Sequence, residues 1–130
     1  MPTIAPTLQP FADGKYARLT TYRRDGTGSG TPVTIAVEDG RAFVRTWDTT
    51  LKARRMRRNP VVEIAPCTAR GTVRGPAIRA RSRLLEGEEA AHAAHAIAHR
   101  QPILQGVLVP LTHRITHRRT IHYELIPISG

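Results

Sequence analysis

The sequence predicts a mainly β domain, a small barrel of six short strands with helices inserted between strands three and four and again before the last. Three observations predict it. β-branched and aromatic residues gather in runs of strand length, glycine-bearing turns separate those runs, and two stretches rich in helix formers interrupt them. With 130 residues the chain fits one domain spanning 1–130, long enough to bury a real core and short enough to gain from association with a second copy.

The elements follow in order. After a helical turn around Thr7 to Ala12, Lys15 to Arg24 reads as the first strand, and the stretch Asp25 to Gly30 reads as flexible turn material. Thr31 to Glu38 is the second strand. Asp39-Gly40 supplies the positive φ values of a tight hairpin into the third, Arg41 to Thr46. A short basic helix then carries Lys52, Arg54, Arg55, Arg57 and Arg58, and Asn59-Pro60 stops it because a residue before proline is pushed out of the α region. Val61 to Thr68 is the fourth strand, with Pro66 marking an edge or a bulge. Thr72 to Leu85 is a long fifth strand in which Ile78, Ala80, Ser82 and Leu84 alternate with Arg79, Arg81 and Arg83. Glu86 to Arg100 is alanine-rich with acidic residues in its first turn, a helix on both counts. A second helical stretch is expected from Ile103 toward Arg118, interrupted near Pro110, and Thr120 to Ile128 alternates again as the last strand.

Composition narrows the function. The formal net charge is +10, and Lys15 and Lys52 are the only lysines among the 20 basic residues. Such a chain favours an anionic partner without saying whether it is a phosphorylated small molecule, a nucleic acid or a lipid surface. The single cysteine, Cys67, excludes an internal disulfide framework and suits a reducing cytosol, as a small, partly buried residue rather than a reactive thiol. The N-terminus lacks the apolar core of a signal peptide and no run has the length of a membrane span, so the expectation is a soluble, cytoplasmic protein.

The block from Arg41 to Pro60 carries the chemistry. Its apolar alternation ends in Arg45 and Thr46, a polar turn Asp48-Thr49-Thr50 follows, and the basic helix begins. Hydroxyls and cations at a strand-to-helix junction suit a phosphate, to which the positive end of a helix dipole adds. The histidines read differently. His92, His95 and His99 share one helix face and His113 and His117 lie one turn apart, yet neither group has a metal-protease spacing or a carboxylate partner, so no metal is expected. Trp47 can stack on a cofactor or cap the barrel. A nucleic-acid-binding barrel fits the charge, but only six aromatic residues are present and they form no stacking series.

The run KYARLTTYRRDG, then TPV, then DGRAFVRT, then a threonine and Lys52 leading into RRMRRNPVVEIAPCTARGTVRGP, resembles the pyridoxamine 5′-phosphate oxidase-like split β-barrel flavoproteins. Within them it is most similar to the branch of oxidoreductases dependent on the deazaflavin coenzyme F420. The resemblance runs from Lys15 to Pro127 and is most specific from Arg45 to Pro76. It implies a homodimer with a cofactor cleft at the subunit interface. The phosphate is then expected against Arg45, Thr46, Thr50 and Lys52, and the tricyclic ring along Pro32, Val33 and Thr34. Residues of the partner chain, with Arg79 or its neighbours as candidates, would cover the other side. The implied activity is hydride transfer between F420 and a conjugated small-molecule acceptor. No catalytic side chain is assigned, because the cofactor holds the reducing electrons. FMN in the same fold and a non-catalytic F420 carrier are the alternatives within the family. Relatives commonly carry an aromatic pair after TPV where this chain has Thr34-Ile35, which changes ring stacking in the cleft.

Overall fold

Six strands whose apolar residues recur at every second position can bury one face by closing on themselves, and they do. The computed structural model describes residues 8–12, 14–100 and 119–128. It places β1 at Tyr16–Tyr22, β2 at Gly28–Glu38, β3 at Arg41–Trp47, β4 at Val61–Cys67, β5 at Ile78–Leu85 and β6 at Thr120–Pro127. Helix α1 (Leu51–Arg58) joins β3 to β4, and α2 (Gly87–Arg100) follows β5. All neighbours are antiparallel, and the order β1-β2-β3-β6-β5-β4 closes into a barrel through the β1–β4 pairing. This is the mainly β split barrel that the sequence predicts.

The interior is filled by Ala17 and Leu19 of β1, Val33 and Ile35 of β2, Ala42 and Val44 of β3, Val62 and Ile64 of β4, Ala80 of β5, and Tyr123 and Leu125 of β6. Met56 of α1 closes one end, and Leu8 and Phe11 of a single 3₁₀ turn, Gln9–Phe11, close the other. A second, smaller core lies outside the barrel. There α2 sets Ala93, Ala96 and Ile97 against Ala36, Phe43 and Leu85 on the outer faces of β2, β3 and β5. The helix thus covers apolar positions on the outer face that would otherwise meet water.

Two boundaries differ from the sequence expectation. Strand β2 begins at Gly28, so the glycines read as turn are strand residues, with Gly28 opposite Tyr22 and Gly30 opposite Thr20. The missing Cβ of Gly30 leaves room for the Arg18 guanidinium to lie across β2, where a Cβ would come within 2.6 Å of Arg18 Nε. Strand β5 begins at Ile78 instead of Thr72. Over residues 72–77 the β4 side is met only by a bridge between Cys67 and Val73 and by the Arg74 N–H donating to the Pro66 carbonyl at 2.7 Å. Pro66 has no N–H to give, and it sits where the β4–β5 ladder has already ended at Ile64–Ile78. The helix expected from Ile103 to Arg118 lies outside the described residues.

An ion-pair network binds the α2 side together. Glu124, 9% exposed, accepts from Arg41 Nε and Nη2 at 3.1 Å each and from Arg83 Nη2 at 2.8 Å, while Arg83 also holds Glu89 of α2 at 2.7 Å. The Arg41 hydrogen bonds, and then those of Arg83, hold the Glu124 carboxyl below the usual carboxylate range against the opposing effect of burial. A lowered native pKa stabilises the fold above the ordinary carboxylate range and loses that contribution as pH falls through the native value. Glu124→Gln is therefore expected to lower stability by about 1–2 kcal/mol at pH 7, the hydrogen-bond scale discounted because both arginines are partly exposed. The difference from wild type in denaturant titrations should shrink below about pH 4. A difference that stays constant down to pH 3 would mean that the carboxylate charge does not stabilise the fold.

Candidate cofactor site

Strands β2 and β3 pair only from Glu38–Arg41 to Ile35–Val44. Beyond that point β2 continues against β1 alone, from Thr34–Tyr16 to Gly28–Tyr22, and β3 continues against β6, from Arg45–His122 to Trp47–Thr120. The sheet splits here. Pro32, Val33 and Thr34 lie on one side of the parting, and Arg45, Thr46 and Trp47 lie on the other. Strand alternation sends Val33 and Thr46 inward, where both are buried, and leaves Pro32, Thr34 and Arg45 on the outer face.

Helix α1 starts directly at the end of β3. Its N-cap is Thr50, whose side-chain oxygen accepts from the Ala53 N–H at 3.2 Å. The Thr50 hydroxyl donates to the Trp47 carbonyl at 2.8 Å, so in the 3.1 Å contact between Thr46 Oγ1 and Thr50 Oγ1 the proton comes from Thr46. Both hydroxyl protons are thus engaged in a short relay that fixes where the helix begins. The donors that remain aimed outward from this turn are the Leu51 and Lys52 N–H groups, which have no acceptor among the described residues, as a first helical turn requires. Thr50→Ala is expected to lower stability by about 1 kcal/mol through loss of the cap, and Thr50→Ser to retain it, measured by thermal unfolding. Equal losses in both variants would point to the methyl group instead.

Two cations flank the turn. Lys52 is half-buried, and burial, together with the charge of Arg55, pushes its ammonium below its ordinary value. Arg45 is half-buried too, its pKa lowered by burial, and neither side chain has an anionic partner among the described residues. A cation that loses water without gaining a counter-charge is in a site suited to an anion. The structure brings Thr46, Thr50 and Lys52 to one junction, and it places Arg45 on the other face of the same strand.

His122 was not a sequence candidate. It lies opposite Arg45 on β6, half-buried, with its pKa lowered first by burial and then by the Arg45 charge. Alternation along Thr120 to Pro127 puts it on the outer face, but only the β3–β6 register reveals its neighbour. On α2, His92 meets Glu38 at 2.6 Å and sets its ring edge against Phe43, while His95 and His99 are exposed. His113 and His117 lie outside the described residues. Among the described residues no cluster of three or more histidine, cysteine or acidic side chains is placed to hold a metal. None of their helices is long and apolar enough to cross a membrane.

A closed six-stranded barrel split between β2 and β3, with a helix leading off the end of β3, has the fold of the split β-barrels of the pyridoxamine 5′-phosphate oxidase-like kind. Solved structures of that kind superpose on it. A protein of unknown function from Agrobacterium tumefaciens matches 86% of this chain at 21% identity with a TM-score of 0.67, and this chain spans only 48% of that protein's length. A putative pyridoxamine 5′-phosphate oxidase from Listeria innocua matches 94% of this chain and 90% of its own at 19% identity, TM-score 0.65. An FAD-binding protein from Mesorhizobium loti matches 93% of this chain and 84% of its own at 14% identity, TM-score 0.66. Haem-binding proteins also match, among them the haem storage protein HutZ of Vibrio cholerae. No protein-family model and no curated protein matches the chain. At these identities the likeness establishes the fold, and a fold of this kind serves more than one cofactor.

Proposed function

We propose that the protein is an F420-dependent oxidoreductase that transfers a hydride between the deazaflavin and a conjugated small-molecule acceptor, working as a homodimer with its cofactor cleft at the subunit interface. The observation that carries this reading is the junction at the split. Two backbone N–H groups at the start of α1 and a half-buried ammonium, Lys52, stand without an anion beside a hydroxyl relay that fixes the helix start. This donor set fits a phosphodiester. Leu51 and Lys52 N–H groups and the Lys52 ammonium would hold it, with Thr46 and Thr50 keeping the turn in place.

Pro32, Val33 and Thr34 border the same parting and would supply backbone groups and a flat edge to a ring system. Arg45 would add charge from the outer face. When bound, reduced F420 supplies the hydride, so the chain needs no nucleophile of its own, and its residues position the ring and exclude water. The deazaflavin reading also accounts for the basic charge, because this coenzyme carries a glutamate tail that FMN lacks. FMN is the second reading, supported to the extent that one structural neighbour is an FAD-binding protein.

Parallel equilibrium titrations with F420 and FMN at moderate salt test the proposal. Tight binding of F420 alone is the expected result. Preference for FMN would keep the fold and change the chemistry, and binding of neither would remove the cofactor reading altogether.

A further inference from the structure

A separate basic feature lies at the far end of α1 from the Thr50 cap. Arg24, from the turn after β1, and Arg54, Arg57 and Arg58 of α1 line one open cleft of about 590 Å³, and no other side chain among the described residues shares that lining. Four exposed guanidinium groups around one cleft concentrate positive potential there, which draws a multiply charged anion. The carboxylates nearby in the chain are engaged elsewhere. Asp25 accepts from the Thr27 N–H at 3.0 Å and from its hydroxyl at 2.7 Å, and Asp48 accepts from the Arg119 N–H at 3.3 Å. The ion pairs of the described residues use Arg41, Arg83 and His92, on the side covered by α2. Of the four cleft arginines, Arg58 donates to the Tyr22 carbonyl at 3.0 Å, which pins the end of α1 to β1 and fixes one wall.

We propose that this cleft binds an oligophosphate, a chain of about three or more linked phosphates, as found in inorganic polyphosphate or in the triphosphate end of a nucleotide. Guanidinium forks match phosphate oxygens in pairs and stay charged at every physiological pH. Among the described residues the lining holds no aromatic ring and no aliphatic side chain, so recognition rests on the guanidinium groups themselves. Cations gathered in one cleft suit a compact, multiply charged group better than a nucleic-acid strand, which needs a groove with aromatic platforms along it. The site uses neither Lys52 nor the split, and oligophosphate binding there is measured without the cofactor.

Calorimetric titration of the whole chain with inorganic tripolyphosphate, ATP and orthophosphate at equal ionic strength tests it, repeated on Arg54→Gln/Arg57→Gln and on Lys52→Ala. Both arginines are exposed and glutamine is a good helix former, so the double variant should keep the fold, which circular dichroism checks. Tripolyphosphate and ATP should bind at least about tenfold more tightly than orthophosphate. The double variant should lose about tenfold or more, and Lys52→Ala should stay within about twofold. Tighter ATP assigns the ligand to nucleotides, and tighter tripolyphosphate assigns it to inorganic chains. Equal binding of orthophosphate, an unaffected double variant, a loss caused by Lys52→Ala instead, or tighter binding of a single-stranded DNA oligomer would each overturn the proposal.

Discussion

Phe43→Ala is expected to destabilise the protein by about 3–5 kcal/mol and to free α2 from the barrel before the barrel unfolds. Phe43 is fully buried although it points outward from β3, and it is the largest apolar side chain in the cluster beneath α2. The helix itself offers mostly alanine, Ala93 and Ala96 with Ile97, so little of its own surface holds it down. The Phe43 ring also takes the edge of His92, with centroids 5.7 Å apart, and lies 5.0 Å from the Arg41 guanidinium carbon. Both contacts add to area burial. Denaturant unfolding measures the loss, and hydrogen exchange locates it: α2 amides should lose protection while β1 and β4 keep theirs. Loss below about 1 kcal/mol, or uniform loss of protection, would mean that α2 is held by the Glu89–Arg83 pair and the backbone instead. Phe43→Leu, which keeps most of the volume, should cost under about 1.5 kcal/mol.

That outer core explains what in the fold was legible and what was not. Alternation gave the inward face of β5 for Ile78, Ala80 and Ser82 but not the exposure of Leu84, whose neighbour Leu85 is buried under α2 instead, and Asp39-Gly40 gave the hairpin, where Asp39 has φ 53° and Gly40 φ 74°. The start of β5 was misplaced because Thr72 and Val73 have the composition of a strand, yet they make only an isolated bridge to Cys67, and the regular ladder begins at Ile78, after the proline at 76. The start of β2 was misplaced for the converse reason. Gly28 and Gly30 look like turn residues, yet β1 supplies a partner for each. Pairing, a property of two segments at once, decides both boundaries.

The site divides the same way. Thr46, Thr50 and Lys52 could be placed at one junction from sequence because they lie within seven residues on a strand, a turn and a helix start. The direction of their protons could not, since it depends on the Trp47 carbonyl, the Ala53 N–H and the 3.1 Å approach of two hydroxyls. His122 was invisible because 77 residues of chain separate it from Arg45 and only barrel closure makes them neighbours. The split was legible only through the family resemblance, since strand composition alone does not say where β2 and β3 part.

Lys52→Ala is expected to weaken cofactor binding by about 1.5–3 kcal/mol, roughly 10- to 150-fold in Kd, the range for hydrogen bonds to charged groups. The expectation rests on the state of the lysine before anything binds. Burial and Arg55 already disfavour its charge, so a phosphodiester placed against it relieves a strain that a fully solvated lysine would not carry. Its position, two residues after the Thr50 cap, puts the ammonium on the same turn as the unpaired Leu51 and Lys52 N–H groups, and these survive the substitution. Residual binding should therefore persist. Lys52→Met separates charge from packing, because it keeps an unbranched apolar stem and helix propensity while removing the ammonium. Equal weakening in the alanine and methionine variants, measured by equilibrium titration with whichever of F420 or FMN the wild type binds, assigns the effect to charge. Affinity unchanged in both variants would remove Lys52 from the site and shift the search for the anion to the outer face, where Arg45 and His122 meet.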